Sequence, residues 1–103
     1  MKRSEIFSEA NRVTCNDRQE TYGDAGVLHE AVAEIWAALD RISPNPNTAS
    51  HVLLKMSALK MARAAINPKH EDNYTDGCGY FGLSGETATE EEKPSNVTRL
   101  QSA

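Results

Sequence analysis

The stretch LHEAVAEIWAALDRISPNPNT, residues 28 to 48, decides the fold. Its apolar positions Leu28, Val32, Ile35, Leu39 and Ile42 step by four and three, which places them on one face of an α-helix, and Trp36 widens the stripe. The helix extends back to about Ala25. It stops at Ser43-Pro44-Asn45-Pro46-Asn47-Thr48, where two prolines exclude continuation and Asn47 or Thr48 can cap a new helix.

That next helix, residues 48 to 66, carries Val52, Met56, Leu59 and Ile66 on one face and Leu53, Leu54, Met61 and Ala65 around the rest. Apolar over most of its circumference, it is expected at the centre of a bundle or in a subunit interface. Working back from Ala25, residues 3 to 15 set Ile6, Phe7, Ala10 and Val13 on one side and predict a short first helix opening on Ser4. The run DRQETYGD, residues 17 to 24, reads as an ordered loop in which Gly23 can take positive φ. Beyond Asn67-Pro68 a fourth helix is expected over residues 72 to 84, weakened by Gly77, Gly79, Gly82 and Gly85 at about 1 kcal/mol each relative to Ala. Glycines at that density suggest close approach to a neighbouring helix or a ligand. The fold class is therefore all-α: a small four-helix bundle over residues 1–85, followed by a polar, flexible tail over 86–103.

A chain of 103 residues with 39% hydrophobic content supports only a modest core, so a homo-oligomer is expected. The net charge of −4 argues against binding long nucleic acid, whose backbone calls for a net basic face. Cys15 and Cys78 have no metal spacing and read as reduced thiols. The N-terminal run MKRSEIFSEANRV has charged and polar residues where a signal core would lie, and no stretch approaches the roughly 18 apolar residues of a membrane span. The expectation is a cytoplasmic protein with no membrane partner.

Chemistry concentrates at NPKHEDNYTD, residues 67 to 76, the junction of the third and fourth helices. Lys60 and Arg63, one turn apart, meet Lys69 and His70 there, and a phosphate is the ligand such bases suit; Arg63 can grip it bidentately. The alternative is a structural ion pair between Arg63 and Asp76. Lys55 points roughly 140° away from Lys60 and is expected to act separately. Asp72 and Asp76 form an i,i+4 pair, as do Glu30 and Glu34, and four converging carboxylates would hold magnesium; the alternative leaves Glu30 and Glu34 on a solvated face. Tyr22, Tyr74 and Tyr80 are candidates to stack a nucleobase, whereas Trp36 reads as core. His29, His51 and His70 lack zinc spacing, and no nucleophilic triad is visible.

DRQETYGD, Trp36, the Ile42-Ser43-Pro44 break, Lys60, Arg63 and NPKHEDNYTDGCGY together resemble a family of small uncharacterised proteins found mostly in bacteriophages and prophages. The resemblance spans roughly residues 5 to 83. That family is in turn distantly similar to the all-α NTP pyrophosphohydrolases (MazG-like), oligomeric bundles that bind nucleoside triphosphates through magnesium. Their paired-glutamate signature is not reproduced: Glu30 and Glu34 are spaced by four with no doubled acid, and Asp76 alone matches the later motif.

By analogy with small oligomeric phage proteins, the resemblance implies a nucleotide-binding protein that sequesters a cyclic or ADP-ribose-like signal of host defence, without a cofactor. Its expected ligand-binding residues are Asp17, Arg18, Tyr22, Asp24, Lys60, Arg63, Lys69, His70, Asn73, Tyr74, Asp76 and Tyr80. One alternative is a magnesium-dependent pyrophosphohydrolase using Glu30, Glu34, Asp72 and Asp76 as metal ligands and catalytic acids. Another is a protein-binding inhibitor of a host factor.

Overall fold

In the computed structural model, residues 1–17 and 24–90 are described, with side chains omitted at 16 and 17. Four α-helices follow one another: α1 Arg3–Arg12, α2 Ala25–Ile42, α3 Ala49–Ile66 and α4 Glu71–Thr89. A π-helical turn, Val13–Asp17, continues α1. Among the described residues there is no strand, and no helix is long and apolar enough to cross a membrane.

The caps explain where the helices start. The Asp24 carboxylate accepts the backbone N–H groups of Gly26 (2.7 Å) and Val27 (3.4 Å), and the Thr48 hydroxyl accepts that of His51 (3.2 Å). Each satisfies donors that a helix N-terminus leaves unpaired. The start of α1 differs from the Ser4 cap expected from sequence. Glu5 instead accepts the Lys2 backbone N–H at 3.4 Å, which moves the helix start to Arg3.

α3 is the central element, packed on one side by α2 and on another by α4. Leu28 and Val32 of α2 meet Ala62 of α3 in the core, and Trp36 and Leu59 close over them. The Trp36 indole N–H donates to the Lys55 carbonyl at 2.8 Å, so its ring packs as expected while its one donor is satisfied.

The α3–α4 seam is built from small residues. Ser84 Oγ donates to the Ser50 carbonyl (2.7 Å), Ser50 Oγ donates to the Ser84 carbonyl (3.0 Å), and Ser57 Oγ donates to the Gly77 carbonyl (2.8 Å). Seven residues forward on α3 thus answer seven residues back on α4, the register of an antiparallel hairpin. Gly77 is the glycine that faces the seam: a Cβ there would stand in van der Waals contact, 3.4 Å from Lys60 Cβ, which leaves no room for a larger side chain. A Cβ added at Gly79, Gly82 or Gly85 would meet nothing within 4 Å outside its own turn of helix. Seam packing, with Glu71 and Asp72 in the first turn, carries α4 through these weak helix formers to Thr89, past the predicted end at 84. The tail expected from residue 86 therefore begins within helix, and residues 91–103 lie outside the described residues.

α1 buries none of its residues. Ile6 and Phe7 remain exposed; among the described residues the buried apolar side chains belong to α2 and α3, and α4 adds the buried Asn73 and Ser84.

Candidate functional site

The turn Asn67–His70 sets the geometry of the corner. The Asn67 N–H completes α3 on the Arg63 carbonyl (2.9 Å), and the His70 N–H closes a β-turn on the Asn67 carbonyl (3.2 Å), with Pro68 at its second position. The Tyr74 hydroxyl reaches back from α4 and donates to the Pro68 carbonyl at 2.9 Å, pinning the turn to the helix that follows.

This tight connection brings the end of α3 against the start of α4. Lys60 Nζ lies 3.1 Å from Asp76 Oδ2; the lysine side chain is only 16% exposed and the aspartate 48%. Lys60 is thus a base that reaches Asp76 across the hairpin. Arg63 is half-buried, and Asn73 is only 2% exposed; each holds a side-chain nitrogen out of solvent. His70 and Asp72 approach to 3.9 Å at the rim, where Lys69 is exposed.

The helices that meet here are electrically polarised. α3 contains Lys55, Lys60 and Arg63 and no acid, whereas α4 contains Glu71, Asp72, Asp76 and Glu86 and no lysine or arginine. Lys60 and Asp76 join the two sets across the hairpin. The arrangement can orient a base toward an anion.

The other sequence candidates are distributed more widely. Asp24 is occupied as the α2 cap, and Tyr80 is half-buried on α4. Arg18 and Tyr22 lie outside the described residues, and Asp17 is described only as the last residue of the π turn. Glu30 and Glu34 are exposed on α2, and Asp72 and Asp76 are exposed on α4. Among the described residues, no three of His, Cys, Asp and Glu gather as metal ligands. Cys15 and Cys78 are free and exposed.

A second polar cluster, at the α2–α3 crossing, escaped the sequence reading. His51, buried in α3, places Nε2 2.7 Å from Asp40 Oδ1, and Lys55 Nζ lies 3.3 Å from the same carboxylate. Lys55 also sits 4.8 Å above the Trp36 ring, a cation–π contact. The hydrogen bond from His51, aided by Lys55, holds the Asp40 carboxyl below the usual carboxylate range. A signal for it exists: Trp36 and Asp40 are four apart on α2, as are His51 and Lys55 on α3. Matching them required the register of the two helices.

The fold and the corner define a small antiparallel helical protein with a charge-polarised hairpin. Residues 5–88 match the family described as Domain of unknown function (DUF6378), and the chain belongs to that family. It is also similar to the Gene 55 protein of Mycobacterium phage L5, with 35% identity over 78 residues, covering 76% of this chain and 49% of that protein. The chain thus spans about half the length of this relative, and the two findings place it in an uncharacterised family with a phage relative. No solved structure matches.

Proposed function

We propose that the chain is a phage-type nucleotide-binding protein that captures a small anionic nucleotide at the α3–α4 corner. It withholds that nucleotide, a cyclic or ADP-ribose-like signal of host defence, from its receptor in the cytoplasm of the bacterial host. The observation that carries the reading is Lys60, largely buried and oriented by Asp76 at 3.1 Å, one turn from the half-buried Arg63 on a helix without acids. In an acidic protein, bases held out of bulk solvent in this way suit a phosphate. Arg63 supplies the fork for bidentate contact, Lys69 and His70 the rim charge, Asn73 an amide, and Tyr74 a half-exposed ring for a base. Asp17, Arg18 and Tyr22 remain ligand candidates of this reading from their sequence alone.

Melting the purified protein against a panel of mono-, di- and triphosphates, cyclic dinucleotides and ADP-ribose derivatives tests it. A nucleotide at a hundredfold excess over its Kd stabilises the fold by about 2.7 kcal/mol, a shift of many degrees for a domain of this size. Arg63→Lys, which keeps the charge and removes the fork, is expected to weaken that shift, and Lys60→Met to weaken it further. A flat response to every nucleotide overturns the reading. The distant likeness to MazG-like enzymes belongs to the same experiment. Pyrophosphate release from a triphosphate, requiring magnesium and lost in Asp76→Asn, would replace capture with hydrolysis.

A further inference from the structure

We infer that the ligand of the α3–α4 corner carries no terminal phosphate: each of its phosphates is linked on both sides and so bears a single negative charge. This rests on the nucleotide reading above and narrows it to cyclic nucleotides and bridged ones of the ADP-ribose kind, against mono-, di- and triphosphates.

The balance of charge at the corner selects that class. Residues 60–76, which build it, hold as many acids as bases: Lys60, Arg63 and Lys69 against Glu71, Asp72 and Asp76. Lys60 is already engaged, its Nζ 3.1 Å from Asp76 Oδ2. The positive end of the α4 dipole, which elsewhere attracts phosphate, meets Glu71 and Asp72 in its own first turn. Lys69 is exposed, where salt screens its charge.

A phosphate linked on both sides has two unbridged oxygens sharing one charge, which the planar fork of the half-buried Arg63 matches. A terminal phosphate adds a third oxygen and most of a second charge at neutral pH. That extra charge has carboxylates to face. Asp72 precedes Asp76 by one turn on the same side of α4, and the Lys60 contact fixes that side against the corner. What the two acids accept is a neutral donor, such as a ribose hydroxyl or a base amine. A nucleic-acid strand is the polymeric source of the same phosphodiester, and the net charge of −4 opposes it.

Titration calorimetry on matched pairs tests the inference, at neutral pH, in EDTA and in magnesium. The pairs are a cyclic mononucleotide with its ring-opened monophosphate, a cyclic dinucleotide with its linear form ending in a phosphate, and ADP-ribose with ADP. In each pair that binds, the member without a terminal phosphate is expected to bind about tenfold more tightly at low salt, an advantage that shrinks as salt rises. Asp76→Asn is expected to reduce the advantage, and so is Asp72→Asn, which leaves the Lys60 contact in place. A purely structural role for these acids would weaken both members of a pair alike. Terminal phosphates that bind as tightly or more tightly overturn this inference and leave capture standing, as does an advantage unchanged in both variants. A short single-stranded oligonucleotide that outbinds every small ligand also overturns it, whereas a flat response to all of them removes the capture reading and this inference together.

Discussion

Gly77 and Gly79 lie two residues apart on the same helix and predict opposite tolerances for the same substitutions. At Gly79 an added Cβ meets nothing within 4 Å, whereas at Gly77 it stands 3.4 Å from Lys60 Cβ and 3.9 Å from the Ser57 carbonyl. Gly79→Ala therefore gains close to the full helix-propensity difference, about 1 kcal/mol. For a domain of this size that corresponds to a rise in Tm of about 4–8 °C. Gly77→Ala receives the same intrinsic gain but closes a contact already at van der Waals distance, so a smaller rise is expected. Gly77→Leu goes further. Its side chain has no space between the helices, and overpacking of this kind costs about 1–3 kcal/mol while parting the Ser57–Gly77 hydrogen bond. Gly79→Leu projects into solvent and keeps most of the alanine gain. Thermal melts followed by circular dichroism, run on all four variants, give the comparison directly. Equal Tm changes for Gly77→Leu and Gly79→Leu would refute the seam as described.

Three further outcomes follow from other contacts. Asp40 is held below its ordinary carboxyl range by the His51 hydrogen bond, so its stabilisation is complete above its unfolded pKa of about 3.9 and fades as pH falls through its depressed folded value. Urea midpoints of wild type and Asp40→Asn should accordingly differ at neutral pH and converge on acidification; a constant gap would exclude this linkage. Thr48→Ala removes the α3 cap and is expected to cost about 1 kcal/mol in urea unfolding, largely recovered in Thr48→Asp. Ser84→Ala deletes the 2.7 Å donor to the Ser50 carbonyl and should cost about 1 kcal/mol by the same measurement, leaving the reciprocal bond from Ser50 in place.

Much of the fold was legible because local rules and tertiary packing agree in α2 and α3. The step of Leu28 and Val32, the proline break and the cap at Thr48 each depend on neighbours a few residues away, whereas Asp24, expected to bind ligand, proved to cap α2. α4 was only partly legible. Its glycines lower intrinsic propensity, and its full length to Thr89 depends on hydrogen bonds from Ser50 and Ser57, far away in sequence. The corner was visible as a concentration of polar residues at a short turn. Its pairing was not, since the contact of Lys60 with Asp76 rests on how the hairpin sets α4 against α3.

The sequence by itself determined an all-α chain, the limits of α2, the centrality of α3 and the position of the polar turn. Helical periodicity, proline geometry and capping act over less than two turns, and a reader of residues can apply them directly. Tertiary structure alone decided which polar groups meet: His51 with Asp40, Lys60 with Asp76, Ser57 with Gly77. Those pairings follow from the register and rotation of one helix against another. Many side chains set these jointly as they pack, and no short segment encodes them.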